Sequence, residues 1–219
     1  KFKTFLSSVY IHRSLDESEA SLNALLPQVL RRRNKTYKDL TQLQMKLEDL
    51  YGANLFMYSQ KKAETHSFVS GIETISDNFA LYNEEVLGES LKLLFDVLFN
   101  VVDKFDEEIL KQEKDNLIER IKGLINDKRH YAYNRLIEEM CRGEKYGVCE
   151  LGTIDGVSNI TSDSLMAHYK KIINDSPIDI FVSGNLSKEK AIELVKEYTK
   201  DLKPRDGKYP KTIIGQLPK

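Results

Sequence analysis

Stretches of period two and stretches of helical period follow one another in unequal runs along these 219 residues, and that order decides most of what the chain can become. In residues 2–11, Phe5, Ser7, Val9 and Ile11 alternate with Thr4, Leu6, Ser8 and Tyr10, the signature of a strand. Residues 54–61 and 64–75 repeat it across a short polar turn and predict a hairpin. A fourth such stretch, residues 177–183, ends at Gly184. Between these lie helical patterns. Ser14 and Glu17 have capping-box spacing ahead of Leu22, Leu25, Leu26, Val29 and Leu30, with Pro27 predicting a kink and Asn34 a stop. Leu40, Leu43, Leu47 and Leu50 share a face of residues 38–51, which Gly52 closes. Further helices are predicted over residues 83–102, 105–127 and 129–141. After a loop with Gly143, Gly147, Gly152 and Gly156, Thr161 caps a helix to residue 173 and Ser187 one to residue 201. No strand–helix–strand alternation emerges, so the predicted class is α+β, a mostly antiparallel sheet packed against helices. Residues 1–202 read as one domain and residues 203–219, with Pro204, Gly207, Pro210 and Pro218, as a linker or tail.

Composition narrows the function classes. Hydrophobic residues are 41% and charged residues 31%, with 33 basic against 34 acidic side chains, a balance that fits a soluble globular protein and argues against disorder. The net charge of -1 supplies no global field for nucleic acid. No apolar run approaches the ~18 residues of a membrane span. Residue 1 is Lys and no signal peptide opens the chain, so it reads as an excised fragment. Cys141 and Cys149 are too few for a disulfide framework, which predicts a reducing compartment, the cytoplasm.

Residue chemistry alone yields no catalytic constellation. His12, His66, His130 and His168 form neither H-E-x-x-H nor H-x-x-E-H, the spacings that put two imidazoles on one helix face around zinc. A catalytic role for either cysteine requires a histidine brought near in space. Arg31, Arg32 and Arg33 favour the negative end of a helix dipole, and with only Tyr37 nearby they predict a solvated helix end. The glycines of residues 143–156 match no phosphate-loop spacing.

Several segments, taken in order, resemble the pitrilysin/insulinase family of zinc peptidases and their mitochondrial processing-peptidase relatives. They are Thr36 to Ala53 with its L-x-x-L-x-x-x-L-x-x-L-Y-G-A run, E-K-D-N-L-I-E-R from Glu113 to Arg120, Tyr146 to Tyr169, and the following I-D-I-F-V-S-G-N-L. The departure is the informative part. Counting back from Gly52, the family's H-x-x-E-H falls on Leu26-Pro27-Gln28-Val29-Leu30. Leu26 and Leu30 then stand for the two imidazole ligands, Val29 for the general base, and Arg120 for the glutamate that is the third ligand. None of these side chains donates to a cation, so no metal and no catalytic residue is expected in this domain, although the family uses zinc.

The resemblance implies the fold of a peptidase half of the LuxS and processing-peptidase type, here the bacterial N-terminal domain of a subunit without the zinc motif. The tail would lead to a missing C-terminal homologous domain. The family's substrate adds as a strand beside an edge strand, here Leu55, Phe56, Met57 and Tyr58, with Phe56 where the family often has Asn. The expected partners are a peptide or unfolded polypeptide and a homologous zinc-bearing peptidase subunit, with no nucleic acid and no membrane. Two rivals stand beside this catalytically silent, substrate-enclosing domain: an active metallopeptidase with a rebuilt or downstream zinc site, and a non-enzymatic protein-binding scaffold. The register further predicts that Leu26 and Leu30 are buried, and that Arg120 turns toward them and pairs with Glu113 or Glu119.

Overall fold

The computed structural model describes residues 2–200, 202 and 207–210. It opens with β1 (Thr4–Ser14), whose Phe5, Ser7, Val9 and Ile11 face the core. Helix α1 (Glu17–Leu30) follows. Its cap is Asp16, which accepts the Ser18 N–H at 2.8 Å, because Ser14 is still paired in the strand and its hydroxyl receives the Lys145 ammonium. Pro27 leaves the Asn23 carbonyl without its helical donor, yet the helix runs on to Leu30.

Asp39 caps α2 (Leu40–Asp49), and the left-handed Tyr51 and Gly52 (φ 61 and 70) turn the chain into the hairpin of β2 (Asn54–Lys62) and β3 (Thr65–Ile75). The apolar helix α3 (Val86–Phe99) packs beneath β3, and α4 (Glu107–Gly123) lies against α1. Next come α5 (Lys128–Met140), none of whose residues is buried, and α6 (Ile154–Ser158), a short helix inside the glycine-marked loop that periodicity did not reveal. A capping box between Thr161 and Ser164 starts α7 (Ser162–Asp175); β4 (Ile178–Ser183) and α8 (Lys188–Thr199) complete the order.

The described strands form one antiparallel sheet, β2-β3-β1-β4, in which Val9 pairs with both Ser70 and Ile180. This is the predicted α+β class. The helices bury one face of the sheet in a single core that runs from Phe5 and Leu25 to Leu98 and Leu165. The opposite face leaves Leu6, Tyr58 and Phe181 exposed, with Tyr10 set edge-on to Phe181. Of the expected tail, residues 207–210 lie against this outer face: the Tyr209 hydroxyl donates to Asp179 at 2.5 Å and its ring sits beside His12. Residues 203–206 and 211–219 lie outside the described residues.

Candidate functional site

Helix α1 is where the sequence count puts the former ligands. Leu26, Val29 and Leu30 are only 0%, 2% and 2% exposed. They belong to the core, and Leu30 lies beside Tyr37, Leu43 and Val97. Burying such side chains stabilises by roughly 1.5–3 kcal/mol each.

Arg120 behaves otherwise than expected. It is exposed and opens onto a pocket with Lys61 and His130. It makes no bond with Glu113 or Glu119: the Glu113 carboxylate accepts from Arg32 at 2.5 Å and from Asn116 at 3.2 Å, and Glu119 pairs with Lys122 at 2.8 Å. The physical reason is position along the helix. Arg120 lies seven residues beyond Glu113, on nearly the same face of α4 but about 10 Å further along its axis, where it opens beside Lys61 and His130. The arginine that reaches the buried acid is therefore Arg32, read from the sequence as part of a solvated helix end. Its neighbours also find acids across the gap, Arg33 facing Asp106 at 3.7 Å and Lys35 facing Asp103 at 2.8 Å.

A cleft of about 690 Å³ opens where α1, α2 and α4 meet, lined by Gln28, Arg31, Arg32, Met45, Glu48 and Glu113. As a zinc site this donor set does not fit. It offers an amide and carboxylates beside guanidinium groups, with no imidazole. The four histidines lie elsewhere. His12 meets Ser67 and Asp179 on the outer sheet face, and His130 is exposed on α5.

His66 and His168 are buried together and joined through Asn23. The Asn23 amide donates to His66 Nδ1 at 3.3 Å and its carbonyl accepts from His168 Nε2 at 2.8 Å. His66 Nε2 is buried without a partner among the described residues. Burial, reinforced for His66 by its neighbour His168, lowers both rings from 6.5 to about 4, so both are neutral near pH 7. This triad joins α1, β3 and α7 and is a structural unit that sequence spacing could not reveal. Cys149 shares a pocket with His130, but no hydrogen bond joins them and burial pushes the thiol up, the opposite of an activated nucleophile.

Strand β2 lies at one edge of the sheet. Leu15 donates to Glu64 at 2.7 Å and Ser76 to Lys3 at 2.8 Å, so even-numbered residues of β3 bond to β1. Its odd-numbered residues then bond to even-numbered residues of β2, and the backbones of Leu55, Met57, Ser59 and Lys61 point away from the sheet. The Lys61 N–H confirms the parity by donating outward to Glu150 at 2.7 Å. Leu55 and Met57 are only 2% and 6% exposed, so little of their area along this edge reaches solvent. On the other face Phe56 and Tyr58 stack, and the Phe56 ring occupies the space a β-carbon on Gly71 would need.

Comparison with known proteins bears on the same features. Residues 159–218 match the family described as Peptidase M16 inactive domain. The chain is 30% identical over 203 residues to the protein named probable inactive metalloprotease YmfF of Bacillus subtilis strain 168, covering 91% of this chain and 48% of that protein. A conserved protein from Enterococcus faecalis V583 has the same fold, with a TM-score of 0.87 and 24% identity over 99% of this chain and 52% of its own. Pitrilysin superposes with a TM-score of 0.72 and 13% identity, over 98% of this chain and 22% of its own. The chain thus spans about half the length of the bacterial relatives it matches.

Proposed function

The chain belongs to the pitrilysin/insulinase (M16) peptidases, on the side of that family without the zinc motif, and from this premise we infer that it is a catalytically silent domain that helps to enclose an extended peptide beside a zinc-bearing homologue. One pair of features carries the inference. The helix assigned to the metal offers Leu26, Val29 and Leu30 to the core instead of electron pairs, while the edge strand β2 retains outward backbone groups at Leu55, Met57 and Ser59. A pocket that has lost its chemistry and a strand edge that tolerates sequence change together favour holding a polypeptide over cutting it. The assignment of Leu26, Val29, Leu30 and Arg120 as the degenerate ligand positions rests on the count from Gly52.

The partners that fit this role are an unfolded polypeptide, which supplies a strand, and a homologous subunit that retains its metal. Two half-buried free thiols fit a reducing interior, and we place the protein in the bacterial cytoplasm. No helix among the described residues is long and apolar enough to cross a membrane.

Metal analysis and peptide cleavage on the full-length protein test the reading. The expected result is substoichiometric zinc and no cleavage of an unfolded polypeptide by the protein alone, with co-purification of a zinc-bearing homologue. Stoichiometric zinc lost on substituting His12, His66, His130 or His168 would establish the rebuilt-site alternative. Association only with unrelated proteins would establish the scaffold.

A further inference from the structure

The free edge of β2 stops short of its own end. From Leu55 to Ser59 the outward backbone groups have no bonded partner among the described residues, but at Lys61 the next outward N–H is taken by the Glu150 carboxylate at 2.7 Å. The same lysine holds the loop that carries Glu150. Its ammonium donates to the carbonyls of Tyr146 at 2.5 Å and Val148 at 2.9 Å and lies over the Tyr146 ring, 4.5 Å from its centroid. Backbone and side chain of one strand residue thus fasten one loop across the end of the edge. In an added strand, a peptide carbonyl would occupy the place where the Glu150 oxygen now sits.

The geometry points to Glu150 as a register stop: it stands in for the carbonyl of an incoming strand, so a polypeptide pairing with β2 is confined to the stretch from Leu55 to Ser59. This deepens the peptide-binding reading and rests on it. Five residues of extended chain span about 13 Å at roughly 3.3 Å per step, so the site takes a short extended segment with an end or a bend beside Glu150. A long strand running through does not fit. A single acceptor, the Glu150 carboxylate, sets where pairing ends.

Two measurements on the full-length protein test this. In hydrogen exchange resolved to single amides, the Lys61 amide is expected to exchange about tenfold more slowly than that of Ser59, the effect of one hydrogen bond to a charged acceptor. Glu150→Ala removes that protection and leaves Phe56 and Tyr58, bonded to β3, unchanged. Glu150→Gln, whose amide oxygen still accepts, keeps it and guards against a variant that merely misfolds. The second measurement titrates acetylated, amidated Thr-Val-Lys repeat peptides of increasing length. Wild type and Glu150→Gln are expected to stop gaining affinity at about five residues, whereas Glu150→Ala gains for about two more. Equal Lys61 exchange in wild type and Glu150→Ala, or the same length dependence in both, overturns the stop and leaves peptide binding standing. Binding of no peptide to any of the three proteins overturns the peptide reading itself, and the stop with it.

Discussion

Two imidazoles buried and bonded to an amide rather than to a carboxylate determine how this fold answers acid. His66 and His168 are held near 4 by burial, below the 6.5 of the unfolded chain. As pH falls from about 6.5 toward 4, the unfolded state takes up protons that the folded state refuses, so stability is full above that window and declines through it. At 1.36 kcal/mol per pH unit the loss is at most about 3 kcal/mol for each ring. The charged groups around them are Glu19, Arg13, Lys171 and Lys61. Burial opposes ionisation of Glu19, but the bonds from Arg13 and Lys171 outweigh it and hold its carboxyl below the usual range, so its stabilisation too is lost as pH falls past the ordinary 4.5. Urea midpoints measured from pH 7 to 4.5 are expected to fall steeply in wild type and more gently in His66→Phe, with the exposed His130→Gln keeping the wild-type slope. A second prediction concerns the positions counted from Gly52. Restoring the family pattern with Leu26→His, Val29→Glu, Leu30→His and Arg120→Glu is expected to unfold the domain rather than load it, since each polar group buried without a partner costs about 2–5 kcal/mol. A folded variant holding one zinc per chain would show that the count also holds in space. Individual residues were the least legible level. Arg32 sits in an unremarkable basic run, and only the packing of α1 on α4 brings it to Glu113.

Most elements were legible because each carries its own period and punctuation. The hairpin, the left-handed Gly52, and the caps at Thr161 and Ser187 stand where the pattern put them. Misses occurred where tertiary context decides. Asp16 rather than Ser14 caps α1 because β1 extends to Ser14 through its pairing with Thr65, and α6 is too short to show a helical period. The edge strand has a packing demand no strand propensity encodes. Gly71 is flat so that Phe56 can lie across it, and a β-carbon there would also meet the Ser7 carbonyl at 2.9 Å. Gly71→Ala should destabilise by about 1–3 kcal/mol in urea denaturation. Adding Phe56→Ala should restore part of that loss, while the Ser7 contact retains the rest; full recovery, or none, would show that this ring and this backbone do not share the strain.

At the scale of the molecule, an antiparallel sheet packed by helices on one side leaves an outer face against which Tyr209 is set. Phe181, 56% exposed, and Leu6, 40% exposed, form part of that face. Phe181→Ser with Leu6→Ser should change stability by no more than about 0.5 kcal/mol for each substitution while reducing light scattering by concentrated samples, because isolated exposed apolar groups contribute to association more than to folding. The ion pair between Arg32, just beyond α1, and Glu113 of α4 has a longer reach. Glu113 is 7% exposed, and Arg32→Ala would strand its charge at roughly 2–3 kcal/mol, readable as a lowered urea midpoint. Substitution of Arg32 leaves that acid waiting on another partner, so drift at this position is admissible only in company with a change at Glu113.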